Sequence, residues 1–99
     1  MEKQTVKLTQ PIMAHGEPVT ELQLRRPTAL ECREIRAFPY TLGADMRPVA
    51  ALDVVGKYII RCCAIPESSV NELALEDFNA ITWDIIGFFM QKAPASTES

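Results

Sequence analysis

The sequence has few of the residues that build metal, redox or catalytic sites. It contains one histidine and three cysteines, of which Cys62 and Cys63 are adjacent, so neither a set of disulfides nor a Cys-x-x-Cys pair can form. We expect Cys32, Cys62 and Cys63 to be small buried hydrophobic residues of a protein in a reducing cytoplasm. His15 lies in a predicted turn and has no second imidazole with which to hold zinc. The sequence therefore predicts no metal site.

Long apolar runs and catalytic motifs are also lacking. The longest apolar stretch extends from Ile85 to Met90, whereas a helix that crosses a membrane needs about 20 residues. The residues after Met1 do not form the apolar region of a signal peptide. No glycine-rich phosphate loop, Gly-x-Ser-x-Gly or His-Glu-x-x-His motif occurs. We expect a non-enzymatic protein with no catalytic residue, no cofactor and no membrane contact.

The size and charge of the chain indicate one small acidic domain. A chain of 99 residues, 47% of them apolar and 23% charged, can build a single packed core. Its formal net charge of −3 comes from 13 acidic and 10 basic residues, which disfavours sequence-independent binding of nucleic acid. We expect one domain over residues 1–91. The small and polar residues at 92–99 predict a disordered tail.

Two segments near the N-terminus alternate between apolar and polar residues, as half-buried strands do. They are Thr5–Thr9 and Thr20–Arg25. Pro11, Gly16 and Pro18 lie between them, so we expect an antiparallel hairpin with a loose or bulged connection. Because a two-stranded ribbon is marginal in water, one of its faces must be covered by helices.

The first helix is predicted from a capping pattern. Thr28 is a candidate N-cap, and Glu31 stands three residues later, where its carboxylate can return to the cap amide. We expect this helix to end near Ala37. The following residues, 39–47, contain proline and glycine without a helix or strand period, which predicts a loop.

Two further helices complete the predicted fold. The first is expected to begin at Pro48 and to end near Ala64, with a core face on which residues recur every three or four positions. Ser69 and Glu72 predict a second capping box over a single turn before the last helix. The sequence thus predicts an α+β fold, in which an N-terminal antiparallel β-hairpin packs against about three α-helices. In the helix predicted from Pro48 to about Ala64, the residues of the core face are Leu52, Val55, Ile59 and Cys62.

The last predicted helix, from about Glu76 to Gln91, has more apolar surface than a small core needs. Winding the helix at about 100° per residue places five residues on its core face, namely Phe78, Ile81, Ile85, Phe88 and Phe89. Further apolar residues extend that surface around one flank, which either is buried all round or binds a partner or a second copy of the chain. The candidate partner-binding residues are Trp83, Ile86, Phe89 and Met90.

Three segments carry a family resemblance. Thr5–Ile12 is a strand that ends in Gln-Pro-Ile, Gly16–Thr28 joins a Gly-Glu turn to a strand closing in Leu-Gln-Leu-Arg-Arg-Pro-Thr, and Leu73–Phe78 places Asp-Phe at the start of the last helix. Taken in this order, over about residues 5 to 90, the chain resembles the Mu-like, protein E type family of tailed-phage tail assembly chaperones.

The resemblance implies a non-structural phage or prophage protein of the bacterial host cytoplasm. Such a chaperone binds the long, helical tape measure protein and delivers it for tail tube polymerisation. The implied partners also include the tail tube protein and a longer form of the chain itself, made by a −1 ribosomal frameshift near Phe88 and Phe89. Surplus apolar surface on the last helix agrees with the binding of amphipathic helices.

A small DNA-binding regulator is the alternative function. The helix at 49–64, the turn at Pro66 and the following helix can be interpreted as a helix-turn-helix. A recognition helix presents Arg, Lys, Asn or Gln to bases and phosphates, but the segment from Glu76 to Gln91 contains neither Arg nor Lys. The lack of basic residues in this segment therefore favours the chaperone over the DNA-binding regulator.

Overall fold

A long N-terminal hairpin forms the base on which the helices pack. The computed structural model describes residues 3–90, and the predicted tail at 92–99 lies outside the described residues. The predicted α+β fold is confirmed, with four helices after the hairpin and a second, much shorter hairpin between the first two helices. In chain order the elements are β1 (Lys3–Ala14), β2 (Glu17–Arg25), α1 (Ala29–Ile35), β3 (Tyr40–Leu42), β4 (Pro48–Ala50), α2 (Leu52–Cys63), α3 (Glu67–Asn71) and α4 (Leu75–Met90).

The connection between β1 and β2 is tight rather than loose. His15 and Gly16 form the turn with φ values of 54° and 81°, the left-handed conformation that suits a two-residue hairpin loop. Pro18 pairs with Met13, whose backbone amide donates outward to Glu72 at 2.9 Å. The two residues thus form a pair without mutual hydrogen bonds, so the proline removes none from the ladder.

The bulge lies within β1, before the turn, where the register of pairing with β2 shifts between Lys7 and Ile12. Thr9 falls in this irregular segment, and its backbone amide finds no regular partner in β2. Asp77 of α4 accepts that amide at 2.9 Å and the Thr9 hydroxyl at 3.0 Å through one carboxylate oxygen. Since Asp77 is only 5% exposed, the contact fixes the start of α4 against the hairpin.

The predicted capping box of α1 is confirmed. The Thr28 hydroxyl accepts the Glu31 amide, and the Glu31 carboxylate accepts the Thr28 amide. The helix ends two residues earlier than expected, because Arg36 adopts the left-handed conformation with φ 69° and so terminates it.

The predicted helix start at Pro48 is wrong, and the predicted loop at 39–47 is confirmed for residues 43–47 but not for Tyr40–Leu42, which forms a strand. Tyr40–Leu42 pairs with Pro48–Ala50 in a small antiparallel sheet. A turn closes it, in which the Gly43 amide donates to the Arg47 carbonyl at 2.9 Å. The Ala51 amide donates to the carbonyl of Pro39 at 2.9 Å, which holds the chain extended until α2 begins at Leu52.

The predicted Ser69–Glu72 capping box is also wrong. Pro66 is the N-cap of α3, and it makes no side-chain capping bond. The Ser69 hydroxyl instead donates to the Met13 carbonyl at 2.5 Å, and Glu72 accepts the Met13 amide. The two polar side chains therefore tie α3 to β1.

The core lies between the hairpin and the helices α2 and α4. Leu52, predicted for the core face of α2, is 58% exposed because it occupies the first helical position. Burial raises the pKa of Cys62 to about 11 and that of Cys63 to about 12, in line with their predicted role as buried hydrophobic residues. The buried apolar side chains are Ile12, Ala14, Leu22, Leu24, Val55, Tyr58, Ile59, Cys62, Cys63, Ile65, Val70, Ile81, Ile85 and Ile86.

Within residues 3–90, the structure contains no helix of the length and apolar character that a membrane crossing requires.

Candidate partner-binding surface

Helix α4 presents two different faces. Ile81 and Ile85 are fully buried, and Phe78 and Phe88 are half-buried against the same core. Trp83 and Met90 lie on the opposite side and are 46% and 45% exposed. Their spacing of seven residues places them two turns apart on one side of the helix. The exposed side of α4 therefore carries large apolar side chains.

The sequence-predicted set divides between surface and core. Ile86 is 2% exposed and packs inside the domain, so it offers almost no area to a partner. Trp83 donates its indole N–H to Asn79 of the same helix at 3.2 Å. Because that polar atom is already satisfied, the exposed part of the Trp83 ring is available for apolar contacts.

Phe89 lies in an aromatic cluster at the C-terminal end of α4. Its ring centroid is 5.9 Å from that of Phe38, 6.1 Å from that of Tyr40 and 5.5 Å from that of Tyr58, in edge-on arrangements that aromatic pairs prefer. Tyr58 is anchored by donating its hydroxyl to the Ala37 carbonyl at 2.6 Å. Burial raises the pKa of the Tyr58 phenol, which keeps the donor protonated.

A groove adjoins this cluster, between α1 and the C-terminal end of α4; we call it the α1–α4 groove. It has a volume of about 480 Å³. Phe38, which is 57% exposed, contributes one wall, and the two phenylalanines of α4 contribute another. Its apolar lining comprises Pro27, Ala29, Cys32, Phe38, Phe88 and Phe89, and its charged lining comprises Arg26 and Arg33.

The acidic residues of α1 are engaged on other sides of the helix. Glu31 forms an ion pair with Arg25, and that arginine, acting against the opposing effect of burial, lowers the pKa of the Glu31 carboxyl to about 2. Glu34 pairs with Arg61 at 2.5 Å. Arg33 forms no ion pair with any residue between 3 and 90. The charge of Arg33, which lines the α1–α4 groove, is therefore not neutralised by an ion pair within residues 3–90.

A second groove lies between α2 and α3 and has a volume of about 380 Å³. Its lining includes Asp53, Lys57 and Glu67, which carry charges of both signs. The second groove therefore favours neither an acidic nor a basic partner.

The remaining sequence candidates have structural roles in the described part of the chain. His15 bonds through Nε2 to the Ala64 carbonyl at 2.9 Å, which connects the hairpin turn to the end of α2. No group of three or more metal-binding side chains occurs among residues 3–90.

Sequence reasoning missed the α1–α4 groove. Its walls come from 26–33, from Phe38 and from Phe88 and Phe89, segments that are far apart in the chain. The one local signal is the apolar Phe38 beside Pro39 in a stretch without helical period. That signal does not reveal which other residues Phe38 contacts.

Comparison with models of known protein families matches residues 5–90 to the family described as phage tail assembly chaperone proteins, E, or 41 or 14. The matched range includes the hairpin from its third residue onward, helices α1 to α4 and every residue of the two candidate surfaces. No curated protein and no solved structure matches the chain.

Proposed function

We propose that this chain, which belongs to the phage tail assembly chaperone family, binds the tape measure protein and keeps it competent for tail tube assembly. The family match over residues 5–90 is the observation that carries the proposal, and it confirms the resemblance noted in the sequence. Membership of a chaperone family also suggests a non-enzymatic role. We place its action in the cytoplasm of the bacterial host.

The exposed apolar surface of the chain supports the proposal. A tape measure protein of the implied kind is long, helical and prone to aggregate through its apolar faces. Trp83 and Met90 provide one apolar area on α4, and the α1–α4 groove provides a concave one that includes Phe38. Amphipathic helices bind such grooves through residues spaced three and four apart. When the chaperone covers the apolar residues of a client helix, those residues can no longer contact other client segments.

The binding of each segment should be moderate, because the client must leave the chaperone when the tube grows around it. Trp supplies a large anchor, and Met adapts to varied apolar neighbours. This pairing suits a chaperone that contacts many different segments of one client. The same surface on α4 can also support self-association. In that case a second copy of the chain would contact Trp83 and Met90.

Two further partners belong to the proposal. One is the tail tube protein, to which the client is delivered. The other is a longer form of the chain made by a −1 frameshift near Phe88 and Phe89. Such a product keeps residues 1–89 and therefore retains the side chain of Phe89, on which the aromatic cluster depends.

The helix-turn-helix alternative gains little from the geometry. α4 contains Glu76, Asp77 and Asp84 and neither Lys nor Arg, and phosphates bind poorly to such a helix. Steep salt dependence of binding to heparin or duplex DNA would favour this alternative over the chaperone.

Co-expression tests the proposed function. The tape measure protein encoded in the same phage or prophage genome should stay soluble and co-purify with the chain, and should aggregate when expressed alone. An unrelated small acidic protein expressed at the same level serves as the control. Equal solubility of the client with either protein, or no co-purification, would contradict the proposal.

A further inference from the structure

We propose that the α1–α4 groove selects amphipathic helices whose apolar face is bordered by aspartate or glutamate. This inference rests on the proposed function, because it names the chemistry of the client segment that the chaperone binds. It assigns the groove a client preference based on charge.

The first support is the local charge, which opposes that of the whole protein. The chain carries a formal net charge of −3, yet the charged residues that line the groove are Arg26 and Arg33, with no acidic residue among the lining. A protein with a net negative charge thus has an apolar groove whose charged lining residues are both arginines. Charge complementarity at such a border favours one partner over another.

The position of Arg33 supports the same conclusion. Ala29, Cys32 and Arg33 all line the groove, and their spacing of three and four residues places them on one face of α1. The carboxylates of Glu31 and Glu34 are held by Arg25 and Arg61. Neither acid therefore neutralises the guanidinium of Arg33, which can take a client carboxylate in a two-pronged hydrogen bond.

The apolar lining defines the rest of the ligand. Phe38, Phe88 and Phe89 form an aromatic wall, against which leucine-sized side chains at positions i, i+3, i+4 and i+7 of a client helix can pack. An acidic residue on the flank of that stripe reaches Arg33 at the border of the groove. A helix flanked by lysine would bring like charges together at the same place.

Two synthetic peptides test the inference. Both form an amphipathic helix of about five turns with the same leucine face, and the flanking positions are all Glu in one and all Lys in the other. At low salt the Glu peptide should bind about tenfold more tightly by fluorescence anisotropy, and the difference should shrink at high salt. Equal affinities, tighter binding of the Lys peptide, or no binding of either peptide would overturn the proposal.

Variants locate the charge preference in the groove. Arg33 is exposed, so Arg33→Glu should fold normally and should abolish or invert the preference for the Glu peptide, with Arg33→Gln intermediate. Lys57→Glu makes a charge change of the same size in the second groove and should leave the ratio of affinities unchanged. An unaltered ratio in Arg33→Glu, or an equal effect of Lys57→Glu, would place the preference elsewhere and overturn the assignment.

The peptide result is separable from the proposed function. Co-purification of the tape measure protein together with equal binding of both peptides would leave the chaperone function standing and remove the acidic preference. Preferential binding of the Glu peptide without co-purification would establish the groove as an acidic-helix site and remove the tape measure protein as its client.

Discussion

Asp77 accepts two hydrogen bonds from Thr9, one from its backbone amide at 2.9 Å and one from its hydroxyl at 3.0 Å. The two residues are far apart in the chain, and their contact joins the bulge of β1 to the first turn of α4. A negative charge at a helix N-terminus is favourable in itself. The burial of Asp77 shows that the carboxylate also completes the hydrogen bonding of an irregular strand.

The first prediction concerns this contact. Asp77→Ala leaves the Thr9 amide and hydroxyl without their acceptor, so it should lower the free energy of unfolding by about 1 to 3 kcal/mol, measured by urea denaturation. Glu76→Ala removes the neighbouring exposed acid and should change it by less than about 0.5 kcal/mol. Equal losses in the two variants would mean that helix-terminal charge, rather than the contact with Thr9, accounts for the effect.

Local patterns predicted the elements whose own residues determine them. The alternation near β1 and β2, the Thr28–Glu31 capping box and the apolar period of α4 each lie within one continuous segment. All four elements, β1, β2, α1 and α4, are present in the structure. The alternation of the strands and the apolar period of α4 extend far enough to distinguish strand from helix, and α1 is marked by its cap.

The predictions that were wrong concern contacts between segments that are distant in the sequence. A strand of three residues such as Tyr40–Leu42 is too short to show a period, and it is stabilised only by its partner Pro48–Ala50. Ser69 and Glu72 have the spacing of a capping box, but both bond to Met13, which the sequence cannot place nearby. The α1–α4 groove was missed for the same reason. The helical period placed Trp83 and Met90 on the exposed side of α4, but it also placed Ile86 among the partner-binding candidates, and Ile86 is buried.

The second prediction is a pH dependence at Glu31. Arg25 lowers the pKa of this carboxyl from 4.5 to about 2, so the folded state binds the proton less readily than the unfolded state. The stabilisation of the folded state by the Glu31–Arg25 ion pair is present above pH 4.5 and is lost as the pH falls toward 2. Glu31→Gln, which still accepts the cap amide, should show a flatter decline of stability in this window by urea denaturation. Parallel curves for the two proteins would contradict the assignment.

The third prediction separates partner binding from folding on α4. Trp83→Ser should cost less than about 1 kcal/mol of stability, because nearly half of the side chain is exposed, and should reduce the co-purified tape measure protein several-fold. Ile85→Ala, at a fully buried position, should cost about 2 to 5 kcal/mol.

Leu75→Ser is the matched control for Trp83→Ser. Leu75 is 81% exposed at the opposite end of the same helix, so its replacement removes exposed apolar area without touching the proposed surface. It should leave co-purification intact. A comparable loss of client in the Leu75 and Trp83 variants would indicate unspecific apolar binding.

The fourth prediction concerns thiol reactivity. Burial raises the pKa of Cys62 and Cys63 well above that of an ordinary thiol, so at pH 8 both should react with a thiol reagent only as the protein unfolds. Cys32 is half-buried and lines the α1–α4 groove, so it should react first. Adding the Glu peptide should slow that reaction. Three equally fast thiols in the folded protein would contradict the packing described for α2.

The fifth prediction is that the last turn of α4 is required for stability. A chain that ends after Met90 keeps Phe89 in contact with Phe38, Tyr40 and Tyr58, whereas a chain that ends after Gly87 loses both phenylalanines. The shorter chain should be less stable by at least about 3 kcal/mol, the usual cost of removing one packed aromatic side chain, and its urea midpoint should fall accordingly. A frameshift product that diverges after Phe89 should unfold at nearly the same urea concentration as the chain ending at Met90. If the two truncated chains proved equally stable, the aromatic cluster would not contribute to folding, and a frameshift site upstream of Phe88 would be equally compatible with a folded shared domain.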